Sequence, residues 1–406
     1  MGNRAGADGT AALRRPLKST ENIRGRQGPA RRLSAPSGSG LALAAERFFL
    51  AFLPAVLLIG LVIDRYLIGK YLGFDYKPLW EASRHIFHGA SPYPPPHAWA
   101  LHDEQQFVYP PIAALLAAPL AVFPFTVAAV LLAFLDVFAT GLTLRVLGVR
   151  DWRCYGLTFL WYPVIQNVLV GSITSLLALA VAVAWRYRDD QRVTTPVAAA
   201  LIAAKVFLWP LLFWLAATRR GLAAMRALGV ALAGIALSWA LIGFAGLTSY
   251  PRLLDVLSRL EQWKSYSAVA LGLVLGLSTG EARALAIIAG TVVLLGVVLV
   301  GRIRKEDPDA DRHAFVLALA AAFLFSPIVW THYLALLVVP IAITRRTLTP
   351  LWFVPLAMWL TPGQSDGQTW RVLVGFSVWV VVLAASWRPA SLIPAFRRRP
   401  EPLPTS

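Results

Sequence analysis

Charge is scarce in this chain and cysteine nearly absent. Only 15% of the 406 residues are Asp, Glu, Lys or Arg, against about 25% in a soluble globular chain. That shortfall excludes the pair of soluble domains that length alone would suggest. The single cysteine, Cys154, excludes an internal disulfide and any Cys-rich metal site. There is no P-loop, no G-x-G-x-x-G after a strand, no H-E-x-x-H and no G-x-S-x-G, so the common nucleotide, zinc-hydrolase and serine-hydrolase signatures are missing. Acidic residues are the rarer sign, 21 against 38 basic, for a net charge of +17. The excess lies mostly in the two tails and in short loops between apolar runs, where cytoplasmic loops place it, and does not point to nucleic acid.

What is abundant is apolar. Hydrophobic residues make up 57% of the chain, and the mean hydropathy is +0.62. From Leu41 to Trp387 apolar runs recur with short breaks, several approaching the ~20 residues that cross a bilayer as helix. They lack the alternation of a membrane β-barrel. The fold class expected is an all-α polytopic membrane protein of the plasma membrane. Residues 1–40 read as a disordered basic tail, too poor in large apolar groups to order itself. Residues 41–388 are the membrane domain, and 389–406 a second basic tail.

Loop charge sets the topology. Both tails are expected inside. Spans are expected at about 48–67, 125–146, 222–243, 282–301, 313–330, 332–345, 349–361 and 370–387. Residues 154–185 and 195–217 have basic loops at both ends, so each should form a hairpin, the second turning near Lys205 and Pro210. The proline-bracketed stretch 110–124 suits a re-entrant or surface-lying helix. Residues 244–265 suit an amphipathic helix on the outer surface, with Asp255 and Glu261 solvating it. About twelve crossings result.

The first outer loop, about 69–109, is the exception to this apolarity. It carries Asp75, Glu81, Arg84, His85, His88, His102, Asp103 and Glu104 among aromatics and prolines. A polar, aromatic loop held against a bilayer suits a polar substrate delivered at the membrane surface. Asp75 has Tyr76, Trp80 and Tyr93 near it, aromatic faces able to stack on a sugar; the bland alternative is a solvated loop acid. Two further polar groups sit where the membrane tolerates few, since a charge at bilayer depth costs ~2.5–3.5 kcal/mol or more. Lys205 lies mid-hairpin, placed to face a phosphate or to snorkel to an interface. His332 follows a proline break at an outer junction, placed to contact a phosphate or relay a proton. Asp136, inside a span, reads as the partner of a nearby cation.

Taken in order, these motifs resemble glycosyltransferase family 87. The resemblance rests on Asp75 early in the first outer loop, Gly89-Ala-Ser-Pro-Tyr93 and Phe107-Val-Tyr-Pro-Pro. It continues with Trp161-Tyr-Pro before Gly171, Lys205 with Pro210 behind it, and Ser326-Pro-Ile-Val-Trp-Thr-His332. It covers roughly residues 48–385. Ser172 stands where a Gln often follows the Gly, and 262–270 lacks the usual Asn-Ser-Leu-type run.

The resemblance implies a GT-C fold and a polyprenyl-phosphate-mannose-dependent α-mannosyltransferase. It implies an acceptor-activating Asp75 and a donor-phosphate contact at His332, to which Lys205 is added by position. Tyr76, Trp80, Tyr93, Tyr109 and Trp330 are the expected sugar or acceptor contacts. The expected partners are a polyprenyl-phosphate-linked sugar, a glycan or glycolipid acceptor and membrane lipid. No segment outside the membrane is large enough to hold a nucleotide sugar, so the donor must come from the membrane. One displacement, with Asp75 as base and cations at the leaving phosphate, inverts a β-linked donor without metal or cofactor. The rival classes are a flippase or transporter of lipid-linked sugars, and a glycan polymerase or ligase.

Overall fold

The computed structural model describes residues 38–68, 72–94, 106–303, 307 and 309–387. Most of the N-terminal tail, the C-terminal tail, and His102, Asp103 and Glu104 lie outside the described residues. The chain divides into two compact units, Met1–Ala44 and Ala45–Ser406. Of the first, residues 38–44 are helical. Apart from the first residues of the helix Gly40–Leu67, the second carries everything below.

All regular structure among the described residues is helical, as the apolar runs require. Among the described residues five helices are long and apolar enough to cross a membrane: Gly40–Leu67, Phe125–Val146, Gly221–Leu241, Thr279–Ile303 and Thr369–Trp387. A bent pair, Tyr162–Val170 and Thr174–Arg186, makes a sixth if taken as one span. Together they make a multi-pass membrane protein. The expected count of about twelve draws on shorter pieces. Ala310–Phe325 is an α-helix of 16 residues and Pro350–Leu360 a 3-10 helix of 11; at about 1.5 and 2.0 Å per residue neither reaches the ~30 Å of a hydrocarbon core.

The short pieces break where the sequence forces a break. Tyr162–Val170 ends at Gly171, whose φ of +69° is left-handed, the usual way to stop a helix on glycine. The chain then turns 117° into Thr174–Arg186. Gln191–Ala204 ends at Lys205, which is extended (φ −150°, ψ 97°). A 3-10 turn, Val206–Leu208, and Pro210 then lead into Leu211–Ala217. Ala310–Phe325 stops at the extended Ser326, immediately before Pro327, because a residue preceding proline disfavours the helical region. A 3-10 stretch, Thr331–Leu337, continues as the helix Val338–Thr344.

These broken segments make the centre, and the long helices make its rim. Every residue from Thr331 to Leu337 is buried. The indoles of Trp161, Trp214 and Trp352 are fully buried, and Trp161 Nε1 donates to the Trp352 carbonyl at 2.9 Å, which satisfies a donor that burial would otherwise penalise. By contrast Thr279–Ile303 leaves Leu285, Ile288, Val292, Leu295 and Leu299 exposed. Such a face in water would be a large apolar patch; in a bilayer it is the lipid-facing side.

The described part of the polar loop, residues 72–94 and 106–109, is folded onto this frame. Lys77–Phe87 is an amphipathic helix that buries Leu79, Ala82 and Ser83. It lies along Pro111–Ala121, the expected short helix, and Ser83 Oγ reaches the Ala114 carbonyl at 2.7 Å. Trp80 Nε1 donates to the Phe123 carbonyl at 3.1 Å. Residues 266–280 contain the seven-residue helix Ala268–Val274. Tyr250–Glu261 is the expected amphipathic helix.

Candidate active site

Asp75 is placed by backbone pairing between two distant loops. The Gly73 amide donates to the Leu169 carbonyl at 3.0 Å and the Asp75 amide to the Val170 carbonyl at 2.8 Å. The approach is possible because Gly73 and Gly171 both lack a side chain: a Cβ on Gly171 would sit 2.9 Å from Gly73 Cα and 3.0 Å from Tyr76 Cβ. Both glycines have positive φ, +74° and +69°, which glycine adopts without steric cost. The bend after Val170 and the start of the outer loop are thus locked together.

Asp75 faces a cavity of about 410 Å³ whose wall includes Phe74, Tyr162, Gln166, Glu261, Trp330, Thr331 and His332. Its side chain is 25% exposed. His332 Nδ1 stands 3.5 Å from Asp75 Oδ2. His332 is delivered by the segment after the Ser326-Pro327 break, which is held on one side by residues 265–267. The Tyr266 amide donates to the Val329 carbonyl at 2.8 Å, the Val329 amide to Ser265 Oγ at 2.8 Å, and Ser267 Oγ to the Pro327 carbonyl at 2.9 Å. Thr331 Oγ1 donates to the Gly363 carbonyl. A helix in this place would use its carbonyls internally; the proline break leaves them free to anchor the histidine.

Lys205 is buried at the break after Gln191–Ala204. Its Nζ lies 3.8 Å from the centre of the Tyr333 ring and 5.8 Å from that of Tyr109, a cation–π arrangement. It has no hydrogen-bond partner among the described residues. Lys205 does not itself line the cavity, but its charge is felt by Asp75. Burial pushes the Asp75 carboxyl up from 3.8 to about 7; the Lys205 charge opposes that rise and the Glu261 carboxylate adds to it. A base whose pKa lies near neutrality is suited to take a proton at physiological pH.

The aromatic residues divide. Trp330 lines the cavity, and its Nε1 is buried with no partner among the described residues. Tyr109 stands beside Lys205. Tyr76, Trp80 and Tyr93, expected to face a sugar, are not on the cavity wall. Tyr76 is buried against Phe125 at 6.4 Å, and the half-buried Trp80 packs edge-on against the same ring at 5.7 Å. Tyr93 stacks on Trp239 at 4.9 Å and donates to the Tyr109 carbonyl at 2.6 Å. The reason is local: the loop is too polar to bury itself otherwise, so its aromatic rings pack it onto the membrane domain.

Two carboxylates differ from expectation. Glu261 does not solvate the outer helix; its side chain is 5% exposed, lines the cavity and accepts from Lys264 Nζ at 3.1 Å. Spacing carried the signal: Leu253, Leu257 and Glu261 recur every four residues and are all buried, so Glu261 continues the apolar stripe. Asp255, by contrast, is exposed enough to pair with Arg259 and Arg283. Asp136 is fully buried, yet no cation pairs with it among the described residues; Asn167 is its polar neighbour. Gln166, another cavity residue, was legible only as a polar group in an apolar run.

The arrangement brings Asp75 and His332 to one chamber, with Lys205 behind its wall, beside one further acid, Glu261, and two amides, Gln166 and Gln364. No group of three or more His, Cys, Asp or Glu among the described residues is placed to hold a metal ion. No curated protein and no solved structure matches the chain significantly. The model of glycosyltransferase family 87 matches residues 107–327, just over half of the 406. Lys205, Tyr109 and Glu261 fall inside that segment, and Asp75 and His332 outside it. A match of that extent to a family of enzymes that transfer sugars, on an all-helical chain with several spans, identifies the chain as belonging to glycosyltransferase family 87.

Proposed function

We propose that the chain is an inverting, membrane-embedded hexosyltransferase of the GT-C type. In this reading it moves a mannosyl or related residue from a polyprenyl-phosphate sugar to a glycan or glycolipid acceptor on the outer face. Both termini are cytoplasmic, and the shorter helices pair with one another to complete about twelve crossings. The observation that carries the reading is Asp75 held in a 410 Å³ cavity with His332 at 3.5 Å.

Asp75 takes the proton of the acceptor hydroxyl as that oxygen attacks the anomeric carbon. The bond to the lipid phosphate breaks on the opposite face, so a β-linked donor gives an α-linked product. The departing phosphate carries the new negative charge. His332, at the cavity wall, donates to it, and the buried Lys205 ammonium lowers the energy of the charge from behind the wall. Trp330 and Gln166 orient the sugars. The acceptor hydroxyl must come within about 2.6–3.2 Å of the carboxylate. Membership of a glycosyltransferase family weighs against the flippase reading.

The test is to supply full-length protein in lipid nanodiscs with radiolabelled polyprenyl-phosphate mannose and a membrane glycolipid extract. Label should pass from lipid phosphate to glycolipid in α linkage, without an ion gradient. An untouched donor, or a β-linked product, overturns the reading.

A further inference from the structure

A second cavity, of about 500 Å³, lies at the other end of the membrane domain. Phe125, against the outer loop, begins a helix of 22 residues, about 33 Å long; Val146 at its far end lines this cavity. Leu147, Trp185 and Ile343 give it an apolar side. The rest of the wall is charged: Arg186, Arg188, Arg312 and Arg346, with Asp309 and Asp311.

Both acids are already engaged. Asp309 pairs with Arg312 at 3.0 Å. Asp311 Oδ2 receives Arg188 Nε at 2.6 Å and Arg220 Nη2 at 2.9 Å, while its Oδ1 accepts from Trp214 Nε1 at 2.7 Å. Arg186 and Arg346 have no carboxylate partner among the described residues. The Arg346 guanidinium lies over Gly148, another residue of the wall. Four guanidiniums from three separate segments therefore share the wall with two carboxylates, each already paired with an arginine. Among the described residues Arg188 and Arg312 are matched by carboxylates while Arg186 and Arg346 are not, so the wall keeps a positive charge that favours an anion.

We propose that this cavity binds a phosphate-bearing anion between Arg186 and Arg346, with the apolar side accommodating the glycerol and first methylenes of a phospholipid. Planar guanidiniums match phosphate oxygens in paired hydrogen bonds. The same chemistry is offered by an anionic phospholipid headgroup or by free phosphate. The site is remote from the Asp75 chamber and stands independently of the transfer reaction.

The experiment titrates detergent-purified full-length protein with short-chain phosphatidylglycerol and, separately, with inorganic phosphate, reading the unfolding temperature. The variant Arg186→Gln/Arg346→Gln removes the two wall arginines without a carboxylate partner among the described residues, both exposed. Arg192→Gln/Arg226→Gln removes two equally exposed arginines outside the cavity wall. Stabilisation of wild type and of the control pair by phosphatidylglycerol, with half-saturation raised roughly tenfold or more in the cavity variant, identifies the lipid headgroup. The same pattern with inorganic phosphate identifies the free anion. No stabilisation by either probe, a response that persists in the cavity variant, or an equal loss in the control pair overturns the proposal.

Discussion

Replacing Asp75 by Asn tests the chemistry and the electrostatics together. Asn keeps the shape of the side chain and removes its ability to take a proton, so transfer should fall roughly 10²–10⁴-fold. Stability should move the other way. Burial raises the carboxyl from 3.8 to about 7, which corresponds to at most about 4 kcal/mol against holding the charge in the folded protein. Because the folded pKa lies above the unfolded one, the folded state binds the extra proton between these values. Wild type therefore loses stability as pH rises from about 4 to about 7, and the Asn variant does not share that loss. At pH 8 the variant should be at least as heat-stable as wild type and nearly inactive. The assays are label transfer from polyprenyl-phosphate mannose and unfolding temperature, each from pH 5 to 9. Wild-type kcat/KM should rise with pH through a midpoint near 7. A variant of near-normal rate, or a wild-type midpoint near 4, refutes the argument.

The same midpoint gives a pair of opposed shifts. Glu261 raises the Asp75 pKa and Lys205 lowers it, so Glu261→Gln should move the acid limb of kcat/KM to lower pH and Lys205→Met to higher pH; shifts of the same sign would show that neither charge acts on Asp75. His332→Ala should raise the donor KM and leave the fold intact, checked by initial rates over donor concentration. Gly171→Ala places a Cβ 2.9 Å from Gly73 Cα on a residue with φ +69°, so it should cost about 1–3 kcal/mol and reduce activity by displacing Asp75; wild-type unfolding temperature and rate would show that the two loops are not locked there.

The helical membrane class is written in the chain residue by residue, because transfer into a bilayer is a sum over local segments, and composition reports that sum directly. The proline and glycine breaks at Gly171, Lys205 and Ser326-Pro327 are local too, as is the oddity of Asp75, Lys205 and His332 in their settings. Their meeting is not. It depends on Gly73 passing within van der Waals reach of Gly171, and on backbone groups freed by one proline finding partners elsewhere: the Pro327 and Val329 carbonyls accept from Ser267 and Tyr266, and the Val329 amide donates to Ser265. No spacing in the sequence records those approaches, since each joins stretches far apart along the chain.

Burial decided the remainder, and burial belongs to the packed whole. Tyr76, Trp80 and Tyr93 had the residue types for sugar binding, and the tertiary structure uses them to hold the loop down. Glu261 had the look of a surface acid, and the docking of its helix turns it into the chamber, beside Asp75. Sequence alone could establish which groups are costly to bury. Only the assembled helices determine which of them share one low-dielectric space, where each changes the proton affinity of the next.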